Sequence, residues 1–339
     1  MKQRKDGGLT APQAVILILI VPVAALWALS TGRIGIPMRD VLAVLWGKLS
    51  GNMTVAALTE KTVWNLRVPR VLLAMLAGSG LSCAGCAFQS LFANPLATPD
   101  TLGVASGASF GAALGLLIGL PLIGVQGVSL AMGLAAVALT WLAGSGRGRG
   151  LSSVVLAGIM IGSLFSALVS FVKFAADTEQ ELPSITYWLM GGLDKAGFPG
   201  LRLGAAPVLG GIVVLWLLRW KLNLLPLSED EARSSGVNIR RLRLVTVFCA
   251  TMITASCVSM CGQVGWVGLL IPHMCRMKFG GSHLALIPAC VSTGAVFMLI
   301  VDTAARSLTA AEIPVSILTA IVGAPFFIIL MRRSGGWQY

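Results

Sequence analysis

The chain has 339 residues, 56% of them hydrophobic and only 11% charged, with a mean hydropathy of +0.87. A soluble domain carries about 25% charged residues, so this composition excludes a water-soluble globule. Lys and Arg outnumber Asp and Glu by 25 to 13, a formal charge of +12, and how that excess is distributed decides whether nucleic acid is needed to explain it.

About 20 apolar residues cross a bilayer as a helix, so the chain is expected to be all-α, a polytopic membrane protein of about ten spans. The expected spans are 13–32, 68–92, 101–119, 125–144, 151–174, 199–218, 243–262, 264–278, 284–305 and 313–331. No Ser-, Pro- or charge-rich linker divides them, so residues 1–339 read as a single transmembrane domain.

The opening MKQRK resembles a signal peptide, but the apolar run Pro12–Leu29 is long, contains Pro22 and lacks an A-x-A site. An uncleaved first span is expected. Residues 33–66 then form a long outer loop in which Trp46 and Trp64 suit interface anchors. The third span carries the most regular pattern: Gly103, Gly107, Gly111, Gly115 and Gly119 recur every four residues. Such a stripe admits a close-packed neighbouring helix, or else lines a conduit; packing is the favoured reading. The Gly-rich, basic turn Gly144–Gly150 lacks the strand-to-helix setting of a phosphate loop and reads as a flexible inner connection. Residues 175–198 are expected to hold a short interfacial helix carrying Tyr187 and Trp188.

Residues 219–243 break the pattern with a compact charged knob. Ser228 suits an N-cap, Glu231 completes a capping box, and Glu229 and Asp230 favour the positive end of a helix dipole. Gly236 supplies a stop, after which Val237-Asn238-Ile239 restarts a helix. A mere connection between spans needs no such capping, so the knob reads as a docking surface for a soluble partner. The eighth span is short and interrupted by Gly262, Gly265, Gly268 and Pro272, which predicts a broken or partly re-entrant segment. A faint internal echo relates Leu91–Leu96 with the span after it to Leu269–His273 with the span after it.

With the N-terminus inside and the spans alternating, the inner side collects the larger share of Lys and Arg. Both termini come out cytoplasmic, and nucleic acid is not needed to explain the charge. Seven cysteines lie almost wholly in spans and read as packing residues, with no disulfide framework. That includes the Cys83/Cys86 and Cys257/Cys261 pairs, which have no His or acid beside them in sequence.

The chemistry that is missing narrows the function. There is no G-x-x-x-x-G-K-[ST], so no P-loop ATP site; His273 and His283 lack metal-ligand spacing; no catalytic or metal-binding residues and no bound cofactor are expected. Asp302 and Arg306, one turn apart near the end of the ninth span, suit either a local ion pair or a recognition role. Polar groups at depth are mainly Gln89, Gln126, Gln263 and hydroxyls. A neutral pathway with a capped knob points to the membrane subunit of a transporter powered from elsewhere. An ion-coupled secondary transporter and a purely structural membrane protein are the competing classes.

Three sets of residues carry a family resemblance. They are Leu66–Arg70 with Phe92–Asp100 and Leu102–Val104; Gly262–His273; and Asp302–Arg306 with Glu312–Phe327. Across nearly the whole chain these resemble, in order, the FecCD-type permeases, membrane subunits of importers for ferric siderophores, haem and cobalamin. The resemblance implies the type II ABC importer permease fold in a bacterial inner membrane. It also implies a second permease subunit, two ATPase subunits that use ATP and Mg, and an external solute-binding protein. Leu227, Ser228, Glu229, Glu231, Ala232 and Gly236 would then couple to the ATPase. Asn94, Leu96, Ser152 and Ser153 would form the cytoplasmic gate, and Arg67, Arg70 and Arg306 would receive acidic residues of the binding protein. For these arginines, contact with lipid headgroups is the competing reading.

Overall fold

The computed structural model describes residues 7–52, 55–146, 151–227, 231, 234–309 and 311–333. Among the described residues every regular element is helical. Each of the ten expected apolar segments falls on a helix. They are α1 (Ala11–Ser30), α4 (Val68–Leu91), α5 (Val104–Leu117), α6 (Leu122–Gly144), α7 (Leu151–Ala175), α9 (Phe198–Leu217), α10 (Ile239–Cys261), α11 (Val267–Phe279), α12 (His283–Ser307) and α13 (Val315–Arg333). Among the described residues, seven helices are long and apolar enough to cross a membrane.

The expected outer loop 33–66 is a correction: it holds α2 (Met38–Ser50) and α3 (Ala57–Glu60), and a π-helical segment, Lys61–Arg67, runs directly into α4. Trp46 stays exposed, but Trp64 is half-buried, with Phe198 at 5.9 Å between centroids and Lys48 over its ring. The expected interfacial helix is present as α8 (Glu181–Leu189), with Trp188 turned into the core.

Burial ranks the helices. In their most apolar stretches α4 is 83% and α10 78% buried, whereas α1 and α7 are each 22% buried, so α4 and α10 form the centre and the others surround them. Glycine makes that centre possible. A Cβ on Gly85 would sit 1.9 Å from the Gly268 carbonyl oxygen, and one on Gly78 would sit 2.1 Å from that of Gly294. Backbones approaching this closely replace water expulsion as the cohesive force in lipid.

The glycine stripe divides in the structure. A Cβ on Gly107 or Gly111 would collide with α6, at 2.5 Å from Ala136 Cβ and Val128 O respectively, and Gly115 meets Val125 of the same helix at 3.1 Å. Gly103 lies before α5 with φ +75° and faces Gly158 and Gly162 of α7, and Gly119 lies past the helix end in open space. A four-residue repeat advances about 400° in a 3.6-residue helix, hence drifts about 40° per step. Three consecutive members therefore share one neighbour; five do not.

The expected break within the eighth span is corrected: the interruption lies ahead of it, between α10 and α11. α10 ends at Gly262 (φ 68°), residues 262–266 are non-helical, and Trp266 takes φ 68° and ψ −31° before α11 begins. Pro272 and Gly268 sit inside α11 without ending it.

Candidate functional site

A cavity of 620 Å³ opens beside this break. One wall comes from the turn Thr98-Pro99-Asp100, held by Asp100 Oδ1 accepting the Ala105 N–H at 3.2 Å. A second is the connection Gln263–Trp266 with the first turn of α11, and a third is Ser316, Ile317 and Ala320 of α13. Among the described residues its lining is apolar with a few hydroxyls, Gln263 and one carboxylate, Asp100, and it includes no Lys, Arg or His. Trp266 is wedged by its backbone against α13: a Cβ on Gly323 would meet the indole at 2.6 Å, and Phe327 stacks obliquely at 6.1 Å.

At the end of the helices that the charge pattern assigns to the outside, the three expected docking arginines come together, but facing inward. Arg67 and Arg306 are each only 7% exposed. Arg67 donates to the carbonyls of Leu29 (2.7 Å), Ser30 (3.1 Å) and Ile34, and Arg306 donates to the Ala28 carbonyl. These are the last carbonyls of α1 and the turn beyond it, which have no intrahelical partner and lie at the negative end of the helix dipole. Arg70 Nε donates to Asp302 Oδ1 at 2.8 Å and its Nη1 to Glu312 at 3.0 Å, while Arg306 stands 3.4 Å from the second oxygen of Asp302. The local Asp302–Arg306 pair is therefore present and extended by Arg70. The expectation of arginines free on the surface is corrected, because a buried guanidinium must be paired and these find acceptors within the chain.

At the opposite end, the gate candidates lie on two adjacent elements. Asn94 and Leu96 are exposed in the turn after α4, where Asn94 Oδ1 accepts the Leu96 N–H at 2.9 Å. Ser152 is exposed and Ser153 half-buried in the first turn of α7. α7 is tied to the turn at 99–102 through Gly158, whose Cβ would lie 2.1 Å from the Thr101 carbonyl.

The knob is anchored by buried Leu222 and Leu225 and then turns outward: Leu227 is 41% exposed. Ser228, Glu229 and Ala232 lie outside the described residues, so the capping box is not described. Ser234 Oγ donates to the Glu231 carbonyl at 2.6 Å, and Gly236 takes φ +70° with open space around its Cα. Asn238 caps α10 by accepting the Arg241 N–H at 3.0 Å, which matches the predicted restart.

Sequence reading missed two features. Asp100 and Trp266 were not singled out as cavity residues, although the left-handed position beside Gly262 and Gly265 signals a break there.

Comparison with known proteins gives consistent matches. Residues 17–333 match the FecCD transport family. The molybdate import permease of Haemophilus influenzae is 38% identical over 318 residues, covering 94% of each chain. The hemin transport permease of Yersinia pestis is 34% identical over 315 residues, 86% of this chain and 93% of that one. Among solved structures, an inward-facing metal-chelate type ABC transporter matches with a TM-score of 0.86 at 36% identity, over 96% of this chain and 100% of the other.

Proposed function

The chain belongs to the FecCD transport family, and on that premise we propose that it is the multi-pass permease subunit of an ATP-binding cassette importer in a bacterial inner membrane. It carries an iron chelate (a ferric siderophore, or haem or cobalamin) inward, pairs with a second permease subunit, receives solute from a binding protein and draws on two ATPase subunits. The observation that carries this reading is the cavity. Among the described residues it offers no cluster of metal ligands and no ion pair, only a mostly apolar wall with a few hydroxyls, Gln263 and Asp100. The described lining holds no Lys, Arg or His to pair with a bare oxyanion, which favours a bulky chelate over molybdate even though a molybdate permease is among the relatives. The knob, including Leu227, Ser228, Glu229, Glu231, Ala232 and Gly236, docks the ATPase, and Asn94, Leu96, Ser152 and Ser153 form the inner constriction. Reconstitution with the cognate ATPase and binding protein in liposomes tests this, with labelled ferric siderophore, haem, cobalamin and molybdate offered in turn. ATP-dependent uptake of one chelate is expected. Uptake driven by a proton or sodium gradient without ATP would instead identify a secondary transporter, and uptake of molybdate alone would replace the substrate.

A further inference from the structure

We propose that the cleft between α1, α11 and α12 binds one anionic phospholipid of the inner leaflet, with an acyl chain in the cleft and the phosphate at Lys278 and Gln13. α1 and α11 both pack along α12 and scarcely touch each other, which leaves a space of 210 Å³ between them. Its walls include Ile16 and Ile20 of α1, Met274 of α11 and Val296 of α12. Ile16 is 59% exposed, Ile20 42% and Met274 39%, so in a bilayer hydrocarbon covers them. The depth suits one leaflet. Ile20 stands about 10 Å further along α1 than Gln13, inside the roughly 15 Å that each leaflet contributes to the hydrocarbon core.

A polar mouth sets this cleft apart from ordinary lipid-facing surface. The charge pattern assigns the start of α1 and the end of α11 to the cytoplasm. Lys278, in the last turn of α11, is exposed and is the one charged side chain of the described lining. Among the described residues no carboxylate pairs with it, and its ammonium stands 5.7 Å from the Phe279 ring. Gln13, also on the lining, is 5% exposed. Its Oε1 accepts the Thr10 N–H at 2.8 Å, which identifies the oxygen and leaves the NH₂ group as a donor. Among the described residues no acceptor meets that group, and a buried donor left unpaired is costly. A phosphate oxygen satisfies it. α1 also presents its positive end here, with no acid in its first turn. The chain entering α1 crosses the same rim, since a Cβ on Gly7 would lie 2.9 Å from Ser282, in the connection between α11 and α12. In sequence Lys2, Arg4 and Lys5 precede it, against the single acid Asp6. Basic groups above an apolar slot between spans on the cytoplasmic side suit an anionic headgroup. A zwitterionic headgroup sets its own cation against Lys278, and free phosphate leaves the apolar walls unused. Binding is independent of which solute the chain transports.

Photo-crosslinking of the purified full-length chain in nanodiscs tests the site. A phosphatidylglycerol with a photoactivatable acyl chain should label α1, α11 or α12 at the cleft. Unlabelled phosphatidylglycerol should compete about fivefold better than phosphatidylcholine, and inorganic phosphate should not compete. Lys278→Gln changes an exposed side chain and should erase that preference, Lys278→Arg should keep it, and Ile20→Trp should fill the cleft and abolish the labelling. Native mass spectrometry of the unsubstituted chain should show one retained anionic lipid, a readout that depends on no variant. Equal competition by phosphatidylcholine, competition by inorganic phosphate, labelling confined to other helices, or a cleft shielded by a second protein chain would each overturn the proposal.

Discussion

The two ends of this molecule treat charge in opposite ways. Around Arg67, Arg70 and Arg306 the cations are drawn inside and paired, joining α1, α4, α12 and the loop that carries Glu312. At the knob, Leu227, Glu231 and Gly236 are exposed, and Gly236 has open space around it. The first arrangement serves the fold of this chain; the second leaves its residues exposed, as the proposed docking role requires. Perturbing the first should therefore disturb stability, and perturbing the second should disturb assembly while sparing stability.

The largest effect is expected from Asp302→Ala. It strands Arg70 and Arg306 with a lost counter-charge in a buried setting, which costs about 3–5 kcal/mol. Denaturant unfolding in detergent measures this, and unchanged stability would show that the clasp is ornamental. Next, Gly236→Val should cost about 1–2 kcal/mol locally, because a β-branched residue resists the left-handed conformation. ATPase co-purification should fall sharply while the melting temperature of the permease barely moves; intact co-purification and ATP-driven uptake would remove the knob from the coupling surface. Glu312→Gln touches only the more exposed arm of the clasp, so about 0.2–1 kcal/mol is expected, and a double-mutant cycle with Arg70→Gln reads the coupling. The smallest stability change, within about 0.5 kcal/mol, belongs to Leu227→Ala. Loss of ATPase binding without loss of stability in that variant would give the contrast its sharpest form.

Hydropathy made the spans legible because length and apolarity are local properties, and each expected span falls on a helix. Less legible was residues 33–66, where α2 and the π segment arise by packing Val41, Val44 and Val63 into the core rather than from hydrophobic length. The Asp302–Arg306 pair could be read from its one-turn spacing. The reach of Arg70 to Asp302 and Glu312 could not, since those partners are remote in sequence, and so burial was mistaken for exposure. Docking and gating roles stay beyond sequence and single-chain geometry alike, because each requires a surface from another subunit.

Trp266 has a consequence for the working cycle. Holding a non-glycine residue at φ 68° costs about 1–2 kcal/mol, a factor of about 5–30 in an equilibrium constant. If the connection 262–266 relaxes in one state of the permease and not in the other, that factor biases the resting population. The indole pressed on Gly323 would carry the bias to α13. Trp266→Gly would then act as a change in spring tension, shifting how often the cavity faces each side of the membrane without altering which groups line the rest of it.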